Sequence, residues 1–340
     1  MDDVARLRAA QRRELFQETA AQRGMTPAIV EKDFWVCWTL RLLFTDDVYA
    51  EHLVFKGGTS LSKAYSLIER FSEDIDLVLD WRLLGYGPDA VDPMTPQGSK
   101  TKQHKLNASV NDAAARYLAE RFIPHLRGRG LADVGLSVSP VDDNPLAVAL
   151  HYPTALPTTD DYLRPELLLE IGPLASWVPK ERREVRPYAA EAFPQLFRAP
   201  TCEVEVISAA RTFWEKATIL HAEAHRAADK RFPPRYSRHY YDLFKLATSP
   251  VRAQALADLA LLDSVVAFKQ QFYPSPWARY DEAHPGLFRL LPEAPDRRRE
   301  HAADYEKMKF MIFGAVPTFD AILDELGALE REINALEPPA

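Results

Sequence analysis

Between Leu53 and Leu79 the chain sets a strand, a Gly-Gly turn, a helix and a second strand in close succession. No other segment restricts the fold as much. Leu53-Val54-Phe55 reads as a short strand that stops at Lys56-Gly57-Gly58. A helix is expected from Thr59 to about Arg70, with Leu61, Tyr65 and Ile68 at i, i+4 and i+7. Ile75, Leu77 and Leu79 then alternate with Asp74, Asp76 and Val78, the pattern of a strand with two unlike faces. Adjacent glycines between a strand and a helix let backbone N–H groups approach a phosphate, and the new helix adds a field that favours an anion. Thr59 and Ser60 either supply hydroxyl donors there or cap the helix. Neither G-x-G-x-x-G nor G-x-x-x-x-G-K is present, which excludes dinucleotide and Walker-type sites.

Asp74 and Asp76, at i and i+2 on a strand, project from one face. Two carboxylates side by side are costly unless a cation lies between them. A divalent metal answers this, because Mg²⁺ takes hard oxygen ligands and couples them to substrate phosphates. The plainer alternative is a solvated acidic edge strand.

The flanking sequence supplies a frame. Thr26-Pro27 reads as a cap and first-turn proline between two helices, the second of which carries Ile29, Phe34, Trp35, Trp38, Leu42 and Leu43. Residues 81–101 form a Gly- and Pro-rich loop, followed by a helix over Gln103–Leu126 and strands at Val134–Val138, Leu146–His151 and Leu167–Ile171. No glycine occurs from Pro173 to Pro285, and after Thr201 the pattern turns helical. A boundary near residue 200 therefore divides an α/β domain (1–200) from a mainly helical one (201–340).

Charge and cysteine content narrow the function classes. The 340 residues carry a formal net charge of −7, so non-specific wrapping of nucleic acid is disfavoured and any such contact needs a local basic face. Cys37 and Cys202 are too few and too far apart for a disulfide framework or zinc ribbon, which fits a reducing compartment. The acidic start lacks a signal core, and no apolar run approaches the roughly 20 residues of a membrane span. The expectation is a cytoplasmic protein with no membrane partner. Among the basic clusters, Lys230–His239 is the candidate nucleic-acid surface, because Lys230, Arg231, Arg235 and Arg238 interleave with Phe232, Tyr236 and Tyr240. His221 and His225 share a helical face, but Ala222 stands where a zinc protease needs its glutamate, so that chemistry is rejected.

Lys56-Gly57-Gly58-Thr59-Ser60-Leu61-Ser62-Lys63 together with Arg70-Phe71-Ser72-Glu73-Asp74-Ile75-Asp76-Leu77 resembles the AbiEii/AbiGii toxin family. That family is a branch of the polymerase-β-like nucleotidyltransferase superfamily, related to the MenT-type toxins. Ile29–Val36, Arg211–Lys216 and Arg238–Leu243 are similar to it as well, and nothing comparable supports the last ~90 residues. The resemblance implies an α+β fold, with a nucleotidyltransferase core of mixed sheet and flanking helices plus a helical C-terminal lobe that completes the nucleotide site. It implies that Gly57, Gly58, Thr59 and Ser60 contact the triphosphate, with Lys63 and Ser72 added to the nucleotide-binding set. Asp74 and Asp76 would bind Mg²⁺ (or Mn²⁺), and Lys216 and Asp242 would serve the reaction from the second lobe. The superfamily's third carboxylate is assigned to Glu170, as metal ligand or base. Fifteen residues separate Gly58 from Asp74, which fits the toxin branch better than the small-molecule-modifying branches.

Without the resemblance, Lys216 borders the apolar stripe of Phe213, Ala217 and Leu220 and reads as a snorkelling side chain. Asp242, four residues after Arg238, reads as half of a surface ion pair. The implied function is Mg-dependent transfer of a nucleoside monophosphate from a nucleoside triphosphate to an RNA hydroxyl, at the tRNA 3′ end. This would block translation and growth, in a toxin–antitoxin or abortive-infection system against phage with a winged-helix-type antitoxin encoded alongside. Two alternatives stay open: transfer to a small molecule or protein, and a GTP- or ATP-binding regulatory module without turnover.

Overall fold

Alternation in Asp74–Leu79 produces β2, with Ile75, Leu77 and Leu79 fully buried on one face and Asp74 and Asp76 half-buried on the other. The computed structural model describes residues 1–72, 74–156, 165–227 and 230–337, so Glu73 of the motif lies outside the described residues. The chain divides into two compact units. One is Met1–Ala64 with Phe71–Ile207, the other Tyr65–Arg70 with Ser208–Ala340.

The first unit is built on a seven-stranded mixed sheet of order β3-β4-β5-β2-β1-β7-β6. Its strands are β1 Leu53–Lys56, β2 Asp74–Leu79, β3 Ser137–Val141, β4 Asn144–His151, β5 Glu166–Gly172, β6 Lys180–Val185 and β7 Cys202–Ile207. β1 lies antiparallel to β2 and parallel to β7, while β2 lies parallel to β5. Helices α1 (Ala9–Arg23) and α2 (Pro27–Phe44) precede β1. Thr26 caps α2 by accepting from the Ile29 N–H at 3.4 Å, with Pro27 in the first turn, as the sequence suggests. Val30, Phe34, Trp35 and Cys37 of α2 are fully buried.

Four expectations change. The helix after the glycines, α3, covers only Gly57–Lys63. Ser66 has φ +54° and Arg70 bridges Ile312, so Tyr65–Arg70 leaves the helix and joins the second unit. Val134–Val138 is not one strand: Leu131–Val134 is a 3₁₀ turn between Gly130 and Gly135, both at positive φ, and β3 begins at Ser137. β6 and β7 are strands that the sequence pattern did not flag. The predicted Gln103–Leu126 helix starts earlier, at α4 (Lys100–Tyr117), and continues through a π-helical turn into Ile123–Arg127.

The second unit is helical. α5 (Ala209–Ala224) is capped by Ser208 and buries Phe213, Trp214, Ala217 and Leu220. α6 (Ser237–Ala247) packs against α5, α8 (Pro295–Met308) and α9 (Phe319–Asn334), while α7 (Leu259–Phe272) packs on α5. Ile322, Leu326, Leu329 and Ile333 form the buried stripe of α9 at helical spacing. No helix of the described residues is long and apolar enough to cross a membrane.

Candidate active site

The β2–β5 register brings two carboxylates side by side. Asp76 is the direct partner of Glu170, and Asp74 is the partner of Leu168. Because side chains alternate along a strand, Asp74, Asp76 and Glu170 occupy one face of the sheet. Glu170 is exposed there. Among the described residues, the Asp76 side chain has no hydrogen-bond or ion-pair partner. No three His, Cys, Asp or Glu side chains of those residues form a finished metal-ligand set. A face with oxygen donors and an incomplete cage suits a cation that takes its remaining ligands from water and phosphate.

Gly57 explains how the backbone comes up against this face. Its φ is +78°, and a Cβ placed on it would lie 1.9 Å from Asp76 Oδ2. Only glycine satisfies both the left-handed conformation and the close approach. Gly57→Ala is expected to displace the Asp76 carboxylate and to cost about 1–2 kcal/mol from the backbone conformation alone. A transfer assay beside a thermal melt checks this: activity should vanish while a cooperative, lowered melt remains.

The hydroxyls beside Gly57 face inward. Thr59 Oγ1 donates to the Asp74 carbonyl at 2.5 Å, tying α3 to β2, and Ser60 Oγ donates to the Gly57 carbonyl at 2.8 Å. Gly58, Thr59 and Ser60 are buried. Ser72 is half-buried, two residues ahead of β2. Lys63 is turned away from any phosphate role: its ammonium lies 2.6 Å from Asp33 Oδ1 and 3.7 Å over the Tyr188 ring, inside the unit. Burial lowers the Lys63 pKa, but Asp33 more than reverses this and holds the amine protonated.

Lys216 and Asp242 belong to the helical unit, where they meet each other. Lys216 Nζ donates to Asp242 Oδ2 at 2.9 Å and to His239 Nδ1 at 3.2 Å. Asp242 is fully buried and also accepts two hydrogen bonds from Arg70, Nε to Oδ1 at 2.7 Å and Nη2 to Oδ2 at 2.9 Å. Asp242 is therefore not the surface partner of Arg238, and Lys216, 8% exposed, does not snorkel. Burial alone would raise the Asp242 pKa, but Arg70 and Lys216 pull it far below the usual carboxylate range. Burial lowers the Lys216 pKa against the pull of Asp242. It also keeps His239 neutral, helped by Lys216 and Arg238.

Arg70 is the residue that motif reading passed over. It was visible at the head of Arg70-Phe71-Ser72, but its partner lies 172 residues away. The Lys230–His239 stretch also differs from expectation. Phe232 packs on His301 with ring centroids 4.8 Å apart, Tyr236 packs on His239 at 4.8 Å, and Tyr240 is fully buried. Tyr240 is thus closed off inside the helical unit, while Phe232 and Tyr236 are half-buried against these histidines. His221 accepts from Arg289 N at Nδ1 and contacts the Arg279 carbonyl through Nε2, which leaves it no metal-binding nitrogen.

A family model described as nucleotidyl transferase AbiEii toxin, Type IV TA system, matches residues 41–325. The chain belongs to the AbiEii nucleotidyltransferase toxin family. The AbiEii match starts beyond Ile29–Val36 and reaches into α9, so it takes in much of the chain past residue 250. Among solved structures, the chain is similar to MenT4, a nucleotidyltransferase toxin from Mycobacterium tuberculosis H37Rv. The identity is 16% and the TM-score 0.49, over 96% of this chain and 90% of that one. It is also similar to JHP933 from Helicobacter pylori, at 15% identity and TM-score 0.41, over 90% and 91% of the two chains. No curated protein matches. As an AbiEii toxin the protein is a nucleotidyltransferase with a nucleoside triphosphate as donor, a divalent metal as the family's usual cofactor, and an antitoxin partner.

Proposed function

We propose that this toxin transfers a nucleoside monophosphate from a nucleoside triphosphate to a hydroxyl of RNA, at the tRNA 3′ end, and so arrests translation. The carrying observation is Asp76, a half-buried carboxylate without a side-chain partner among the described residues, set against Gly57 and beside Glu170. The acceptor oxygen forms a bond to the α-phosphorus, the α–β bridging P–O bond breaks, and pyrophosphate leaves with the electron pair. Glu170, next to Asp76 on the same face, takes the hydroxyl proton. Asp74 and Asp76 are the residues that would hold Mg²⁺, which supplies charge neutralisation for the triphosphate and the attacking oxygen. Chemistry of this kind needs positioning and charge more than a covalent nucleophile. In the helical unit Lys216 meets phosphate charge, with Asp242 holding it in place. The antitoxin is proposed to be of the winged-helix type, encoded alongside.

The test incubates the protein with total RNA and each of four α-labelled triphosphates. Label is expected on RNA of tRNA size, from one preferred nucleotide. Label on protein or on a small molecule would redirect the reading to those acceptors.

A further inference from the structure

Three consecutive charged residues of α2, Glu31, Lys32 and Asp33, are each no more than 3% exposed. Glu31 accepts from Ala155 N at 2.6 Å and from Thr154 Oγ1 at 2.8 Å. Asp33 holds different segments. Its Oδ2 accepts from Tyr188 N at 2.7 Å, and its Oδ1 lies 2.6 Å from Lys63 Nζ, which also sits 3.7 Å over the Tyr188 ring. The Lys63 and Asp33 side chains are 5% and 2% exposed, so water screens neither charge. Thermal stability does not account for such a pair, because two apolar side chains of similar volume are often as stable. What the ion pair adds is a fixed distance and direction between two elements.

The element so fixed is α3. Lys63 is its last residue and Gly57 its first. Seven residues are too few for a helix that stands alone, so its position follows from what holds it. Thr59 ties the first turn to the Asp74 carbonyl and Lys63 ties the last turn to Asp33. The chain leaves the first unit just after, at Tyr65. Little slack remains at the glycine end, where a Cβ on Gly57 would lie 1.9 Å from Asp76 Oδ2. A shift of α3 by about 1 Å would therefore move the Gly57 backbone against that carboxylate, and displacements of this size cost up to about a hundredfold in rate.

We infer that Asp33 is a positioning residue of the active site: by clamping Lys63 it fixes α3, and through α3 it holds the Gly57 backbone against the Asp76 carboxylate. The effect on rate rests on the nucleotidyl-transfer reading, whereas the clamp itself does not. Asp33 and Lys63 touch no reacting atom in this role.

Lys63→Met alone strips a buried carboxylate of its counter-charge and is expected to unsettle the whole unit. The test therefore combines Asp33→Asn with Lys63→Met in the full chain, which removes both charges and keeps an acceptor for Tyr188 N. This double variant is expected to melt cooperatively. Amide hydrogen exchange over residues 57–63 should quicken about tenfold, while β1 and β2 stay as protected as in wild type. For transfer from α-labelled triphosphate to RNA, kcat should fall at least about tenfold, with KM for the triphosphate within about threefold of wild type. Glu31→Gln, a charge loss on the same helix that leaves the Lys63 pair intact, should change neither exchange over 57–63 nor kcat. Unchanged exchange or unchanged kcat in the double variant, or the same loosening in Glu31→Gln, overturns the inference. A double variant without a cooperative melt makes the pair a folding element and overturns it as well. No transfer by wild type would instead refute the transfer reading, and the exchange comparison would then decide the clamp alone.

Discussion

Asp76→Asn is expected to lower nucleotidyl transfer by about three orders of magnitude or more and to relieve growth inhibition on expression. The size follows from the loss of several kcal/mol of charge stabilisation at the reacting phosphate. The fold should survive, because Asp76 is half-buried, its side chain has no hydrogen-bond or ion-pair partner among the described residues, and asparagine keeps its shape. Asp74→Ala should act alike. It also spares the tie from Thr59, which is made to the Asp74 backbone carbonyl and not to the carboxylate. Turnover and colony formation are the readouts, with a thermal melt as the folding control. Full toxicity in both variants would remove the carboxylate pair from the mechanism.

Asp242→Asn should fail for a different reason. It leaves the Arg70 guanidinium and the Lys216 ammonium buried without their counter-charge, and losses of this type cost about 3–5 kcal/mol. Urea unfolding is the measurement, and a shift under about 1 kcal/mol would contradict the buried network. The pH dependence has a definite sign. The Asp242 carboxyl is held far below its unfolded value of about 3.9, so its contribution is complete above that pH. It is lost as pH falls below about 4 toward the depressed folded value. Wild type should therefore lose stability through this acid range, and Asp242→Asn should lose less over the same interval.

How far the site was legible depends on the range of the interactions that build it. The alternation of Asp74–Leu79 and the paired glycines are local signals, and they place β1, β2 and the shared carboxylate face correctly. Glu170 was reached through the resemblance, and the β2–β5 register sets it opposite Asp76. Long-range partners were not legible. Leu61, Tyr65 and Ile68 carry helical spacing, yet α3 stops at Lys63 because Arg70 is drawn to Asp242 and the Glu69 carbonyl accepts from Phe313 N. β6 is a charged edge strand, Lys180-Glu181-Arg182-Arg183-Glu184-Val185, whose ion pairs with Glu205 replace the apolar pattern that marks buried strands. Cys202, Val204 and Val206 do alternate, but the helical run that follows hid β7. Lys63 and Lys216 look alike as isolated lysines in sequence. Their partners Asp33 and Asp242, distant in the chain, give them different surroundings.

The most direct measurement compares α-labelled with γ-labelled nucleoside triphosphate, each incubated with the wild-type toxin, divalent metal and RNA. The account predicts label on RNA from the α-labelled donor, none from the γ-labelled donor, and none from either with Asp76→Asn. Transfer of the γ-label, or α-label transfer that persists in Asp76→Asn, would contradict it.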